Sequence, residues 1–180
     1  TAVPFVSLGN DTALCQGQSL LIDATMTGVS YLWSDGSTAP TLTVTQSGTY
    51  WVEVSNSCGT ATDTMVVSFT PIPVISLGND TTLCQGDVFF SDVTTPGATY
   101  LWSDGNTNAT NTITQSGSYW VEVTVNGCSG TDTITVTFLP LPVISLGNDQ
   151  TLCDGQTVLL DATTAGATYL WSDGTNNATN

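Results

Sequence analysis

Tyr31-Leu-Trp-Ser-Asp-Gly36, followed ten residues later by Ser47-Gly-Thr-Tyr-Trp-Val-Glu-Val54, decides the fold of this chain. In an extended strand successive side chains point to opposite faces. Tyr50, Val52 and Val54 therefore share one face, and Trp51 and Glu53 share the other. Tyr31 and Trp33 oppose Leu32 in the same way. Asp35-Gly36 has turn chemistry, because Asp bonds to nearby backbone and Gly tolerates positive φ. Period two in both stretches, broken by a turn, predicts β-strands that bury one face each.

Outward from these stretches, the chain repeats. Tyr-Leu-Trp-Ser-Asp-Gly recurs from Tyr100 and Tyr169, and Ser-Gly-Ser-Tyr-Trp-Val-Glu-Val starts at Ser116. Ser-Leu-Gly-Asn-Asp begins at Ser7, Ser76 and Ser145, always 69 residues apart. Self-similarity at a fixed period marks an array of equivalent units. Three modules are expected, over residues 1–69, 70–138 and 139–180, the third holding only the first strands of its unit. Phe69-Thr-Pro-Ile-Pro73 and Phe138-Leu-Pro-Leu-Pro142 join them. Alternate prolines fix φ, so these links are expected to be short and stiff.

No segment has helical periodicity. Short runs of β-branched and aromatic residues are separated by Gly, Asn, Asp and Pro at intervals of about ten residues, the pattern of an all-β sandwich. In the first module strands are expected near Val6–Leu8, Ser19–Ala24, Ser30–Trp33, Thr41–Thr45, Thr49–Ser55 and Thr62–Phe69. Trp33, Trp102 and Trp171 are expected in the cores.

The charge balance narrows function. Among 180 residues there is no Lys, Arg or His against 15 Asp plus Glu, for a formal charge of -15. Without cations the chain has nothing to neutralise phosphates, so nucleic-acid binding is excluded. Attraction to anionic headgroups fails for the same reason. No apolar run is long enough to span a bilayer as a helix. General-base chemistry with His or Lys is unavailable, which leaves carboxylate pairs or metal-bound water as the catalytic options. A carboxylate pair tiled in every repeat would be unusual, and the expectation is that the chain is not an enzyme.

Each complete module carries two cysteines, and pairing inside modules gives Cys15–Cys58 and Cys84–Cys128, with the partner of Cys153 outside the chain. Such a bridge closes 43 or 44 residues, worth about 4 kcal/mol by chain entropy. Disulfides imply an oxidising, extracellular compartment. The alternative is buried thiols.

The combination of Tyr31-Leu-Trp-Ser-Asp-Gly36, Ser47-Gly-Thr-Tyr-Trp-Val-Glu-Val54, Cys58 and the strand Asp63-Thr-Met-Val-Val-Ser-Phe69 resembles the immunoglobulin-like and PKD-like repeats of Bacteroidota surface proteins. Gliding-motility adhesins and other cargo of the type IX secretion system carry such repeats. The resemblance implies tandem immunoglobulin-like β-sandwich modules in a linear array, exported to the cell surface as a structural or adhesive stalk. It also implies O-glycosylation where Asp precedes Thr and a small or aliphatic residue, at Thr12, Thr64, Thr81 and Thr133. N-linked sequons stand at Asn10, Asn79, Asn108 and Asn177.

Two further sets of residues are candidates for a site. Asp11, Asp35, Asp80 and Asp104 recur beside Gly and Asn as calcium ligands, or serve as turn residues with no cofactor at all; the absence of a dense Asp-x-Asp-x-Asp loop favours turns. Trp51 and Trp120, beside Leu32 and Leu101, form an outward apolar stripe suited to lateral assembly or sugar stacking; a loop or glycan of the same module covering them is the alternative. The expected partners are neighbouring repeats, other copies of the chain in a fibre, and glycans.

Overall fold

Alternation of β-branched and polar residues gives two copies of one strand set. The computed structural model describes residues 2–180. The first copy contains β1 (Thr12–Cys15), β2 (Leu20–Asp23), β3 (Ser30–Trp33), β4 (Thr41–Val44), β5 (Gly48–Asn56) and β6 (Gly59–Thr70). The second contains β7 (Thr81–Cys84), β8 (Phe89–Asp92), β9 (Thr99–Trp102), β10 (Thr110–Ile113), β11 (Gly117–Val125) and β12 (Cys128–Leu139). Among the described residues no helix is long and apolar enough to cross a membrane.

Each copy is a sandwich of a four-stranded and a two-stranded sheet, ordered β1-β6-β5-β3 against β2-β4 and β7-β12-β11-β9 against β8-β10. The pairs β5–β6 and β11–β12 are antiparallel hairpins, whereas β1 and β7 pair in parallel with the far ends of β6 and β12. Cys15 lies opposite Thr70, and Cys84 opposite Leu139.

Inward residues of both sheets meet in one cluster per copy. Ile22, Leu42 and Val44 from the small sheet pack with Trp33, Val52, Val54, Met65 and Val67 from the large one. In the second copy Trp102, Val121, Val123, Ile134 and Val136 do the same with Ile113. The indoles of Trp33 and Trp102 are only 1% exposed. Each donates its N–H to a backbone carbonyl six residues on, Ala39 or Asn108, so burial leaves no indole donor unpaired.

Two strand expectations change. Val6–Leu8 is not a strand, although Val6 and Leu8 are buried. The Leu8 N–H bonds to the Asp63 carboxylate at 2.7 Å instead of a sheet ladder, and the laddered strand is β1, further along. Residues 140–180 form no strand but keep an isolated bridge between Asp161 and Thr179. Trp171 keeps its N–H bond to the Asn177 carbonyl yet is only half-buried. Trp102, by contrast, packs in a cluster with Val121 and Val123 of β11 and Ile134 and Val136 of β12.

Candidate functional site

The outer face of each four-stranded sheet is built by the residues that alternate with the core. In the first copy Trp51 lies opposite Thr64, and Leu32 opposite Glu53, which in turn faces Thr62. In the second, Trp120 lies opposite Thr133 and Leu101 opposite Glu122, with Thr131 completing the row. Trp51 is 38% exposed and Trp120 42%, and both leucines are exposed to a similar degree. Thr64 and Thr133, two of the threonines singled out for O-glycosylation, are exposed on this same face, directly across the ladder from the indoles. Thr12 and Thr81 begin β1 and β7 and are half-buried.

A disulfide joins Cys15 to Cys128, across 113 residues and between the two copies. The pairs expected within modules, Cys15–Cys58 and Cys84–Cys128, are therefore corrected. The reason is the length of one strand. Cys15 sits beside Thr70 at the trailing end of β6, and Cys58 is in the turn before Gly59 at its leading end. Twelve residues at about 3.3 Å each separate those ends by roughly 35 Å, far beyond the Cα spacing of about 4.4–6.8 Å that a disulfide spans. The same strand geometry holds Cys84 and Cys128 at opposite ends of β12.

Head-to-tail succession brings the other two ends together. The chain leaves β6 through Pro71-Ile-Pro73 and passes the β11–β12 hairpin so closely that a Cβ on Gly130 would collide with the Pro73 carbonyl. The hairpin of the second copy thus stands against the trailing end of the first. Cys128 is 2% exposed there. Cys84 and Cys153 are exposed thiols.

The recurrent aspartates are tied to backbone. Asp11 accepts from Val66 N–H and Asp80 from Thr135 N–H, each carboxylate closing the gap between the start of a module and its last strand. Asp35 and Asp104 accept from the N–H two residues on, and Asp104 also receives the Asn111 side chain. The Asn111 amide first, and the Asn106 N–H after it, hold the Asp104 carboxyl below its usual range. Among the described residues no group of three acidic, Cys or His side chains is placed to hold a metal.

No family model and no curated protein matches the chain. Among solved structures it is similar to an I-band fragment from titin, at 16% identity and TM-score 0.45, over 76% of this chain and 65% of that one. It is also similar to immunoglobulin domains 1–4 of Sidekick-1, at 14% identity and TM-score 0.33, over 73% and 46%. The chain spans less than two thirds of the length of either. Each module is a two-sheet β-sandwich.

Within each module one further residue organises the surface, and alternation alone does not reveal it. The Tyr31 hydroxyl accepts from Met26 N–H and donates to Met26 C=O, and Tyr100 and Tyr169 repeat this with Thr95 and Thr164. A tyrosine five residues after a turn-forming stretch, repeated in every copy, was the available signal. Two clefts at equivalent positions are polar. One of about 430 Å³ lies between Val74–Ser76 and Asp92–Thr95, and it recurs in the first copy beside Phe5–Ser7 at about 180 Å³. Neither contains two carboxylates facing a common point, the arrangement glycoside hydrolysis needs.

Proposed function

We propose that this chain is a segment of an extracellular stalk, an array of immunoglobulin-like modules that carries load or holds an adhesive tip away from a bacterial cell surface, without catalysis. The observation that carries this reading is the covalent link between successive modules. A disulfide inside a domain stabilises that domain, whereas one across a junction limits the relative motion of two domains, which otherwise is the default for modules joined by short linkers. Load-bearing arrays gain from that restriction. The bridge also favours an oxidising compartment, and the resemblance to Bacteroidota surface repeats supplies the bacterial context, export and glycosylation. Electron microscopy of the intact protein should show a beaded fibre with modules in line, and compact particles would defeat the proposal.

A second reading is favoured by the outer sheet face. Trp51 and Trp120 remain partly accessible although the core buries Trp33 and Trp102, and accessible indoles stack on sugar rings. As a carbohydrate-binding adhesion module the chain would give a glycan-array signal that Trp120→Ala diminishes. An unchanged signal would leave the stalk reading alone.

A further inference from the structure

The Cys15–Cys128 bridge rests on features of module ends that every copy repeats. At the trailing end, β1 finishes in a turn in which Cys15 donates its N–H to the Gln18 side chain and accepts from Gln18 N–H at its carbonyl. Cys84 makes the same two bonds with Asp87, and Cys153 makes them with Gln156. Within the turn, Gln16 N–H bonds to Thr70 C=O in the first copy and Gln85 N–H to Leu139 C=O in the second. Cys84 is thus presented beside the outgoing chain as Cys15 is, and it is exposed. The occupant of the equivalent position at Cys15 is visible: the hairpin cysteine of the following module.

We infer that the bridge is serial, so that Cys84 forms a disulfide with the hairpin cysteine of the third module and Cys153 with that of a fourth, making the array one covalently cross-stitched rod. This rests on reading the chain as part of a longer array. Each bond removes one hydrogen from each of two thiols. The Cys84 thiolate attacks a disulfide oxidant such as oxidised glutathione, forming a mixed disulfide and releasing one glutathione thiol. The hairpin thiolate then displaces the second glutathione as a thiol, so two protein thiols and one small disulfide become one protein disulfide and two small thiols.

The test completes the third module by grafting residues 112–139 after Asn180, which occupies the register position of Asn111. The chain is oxidised with glutathione disulfide, alkylated, cleaved at acidic and aromatic residues and mapped by mass. The expected result is a peptide linking Cys84 to the grafted copy of Cys128, together with Cys15–Cys128 and loss of alkylation at Cys84. Complete alkylation of Cys84 while Cys15–Cys128 is intact, or a Cys84–Cys153 bond, overturns the inference. A tandem of residues 70–138 in duplicate asks the same question with modules that have all their strands, and there Cys84 of the leading copy should bond Cys128 of the trailing one. Alkylated Cys84 in a beaded particle rejects serial bridging while leaving the stalk intact, whereas compact particles reject the stalk itself.

Discussion

Tyr100 holds both the N–H and the carbonyl of Thr95 through one hydroxyl, at 2.8 and 2.9 Å. Removing that oxygen strands two partly buried backbone groups, and an unsatisfied group costs about 1–3 kcal/mol. Tyr100→Phe should therefore lower the unfolding free energy of the second module by an amount in that range, seen as a lower urea midpoint by tryptophan emission. Asp132 is a second residue whose chemistry the fold uses: its carboxylate accepts from the N–H groups of Leu77 and Thr133, and these bonds, Leu77 first, depress its pKa. A depressed folded pKa adds stability that is present above the unfolded value of about 4 and is lost as pH falls through the folded value. Melting of the wild type and of Asp132→Ala should differ most at neutral pH and converge in acid. Comparing the two at each pH also cancels the change in overall repulsion as the other carboxylates protonate. A gap that stays constant down to low pH would contradict the assigned bonds. Of the residue-level roles, the inward tryptophans were readable from alternation, because burial follows from which face a side chain occupies. The tyrosine clamp was not, because a hydroxyl five residues from its partner carries no period.

At the level of elements, the hairpins were readable and the parallel strands were not. Val52 and Val54, Val121 and Val123 alternate cleanly with outer residues, which specifies β5 and β11 and one face of each. Thr12–Cys15 is four residues with no fully buried side chain, only half-buried Leu14 packing against the core, so its short run does not mark one inward face. Its position follows from backbone pairing with β6 instead. Val6 and Leu8 carry the signal without the ladder, since burial of a side chain and pairing of its backbone are separate events. The β12 strand adds one constraint of its own. Gly130 occupies the register position of Ala61, which carries a methyl group in the first module, whereas at Gly130 the linker carbonyl of Pro73 fills that space. Gly130→Ala should thus force the linker or the hairpin aside, costing roughly 1–3 kcal/mol, as other overpacked sites do. Thr131→Ala, one residue on and exposed, should change the denaturation midpoint little by comparison.

For the whole molecule the decisive feature is that two separate cores are tied by one bond. The buried clusters of the two modules share no residue, so each sandwich has its own apolar driving force. A loop of 113 residues would by chain entropy add about 4–5 kcal/mol if the pair unfolded as a unit. With independent cores, that restraint acts on the junction instead. Cys15→Ser with Cys128→Ser should leave far-UV circular dichroism and module melting nearly unchanged, while small-angle scattering reports a broader spread of maximum dimension. A large drop in melting temperature would show that the modules fold as one cooperative unit.

The amino-acid sequence by itself determined the repeat length, the all-β character, the inward and outward faces, and the lack of any cationic group, because each depends on residue type and spacing along the chain. Which cysteines bond was decided by tertiary structure. Two thiols 43 residues apart in sequence are held at opposite ends of a 12-residue strand, while two that are 113 apart meet at a junction. A disulfide answers to distance in space, and a rigid strand sets that distance against the order of the chain.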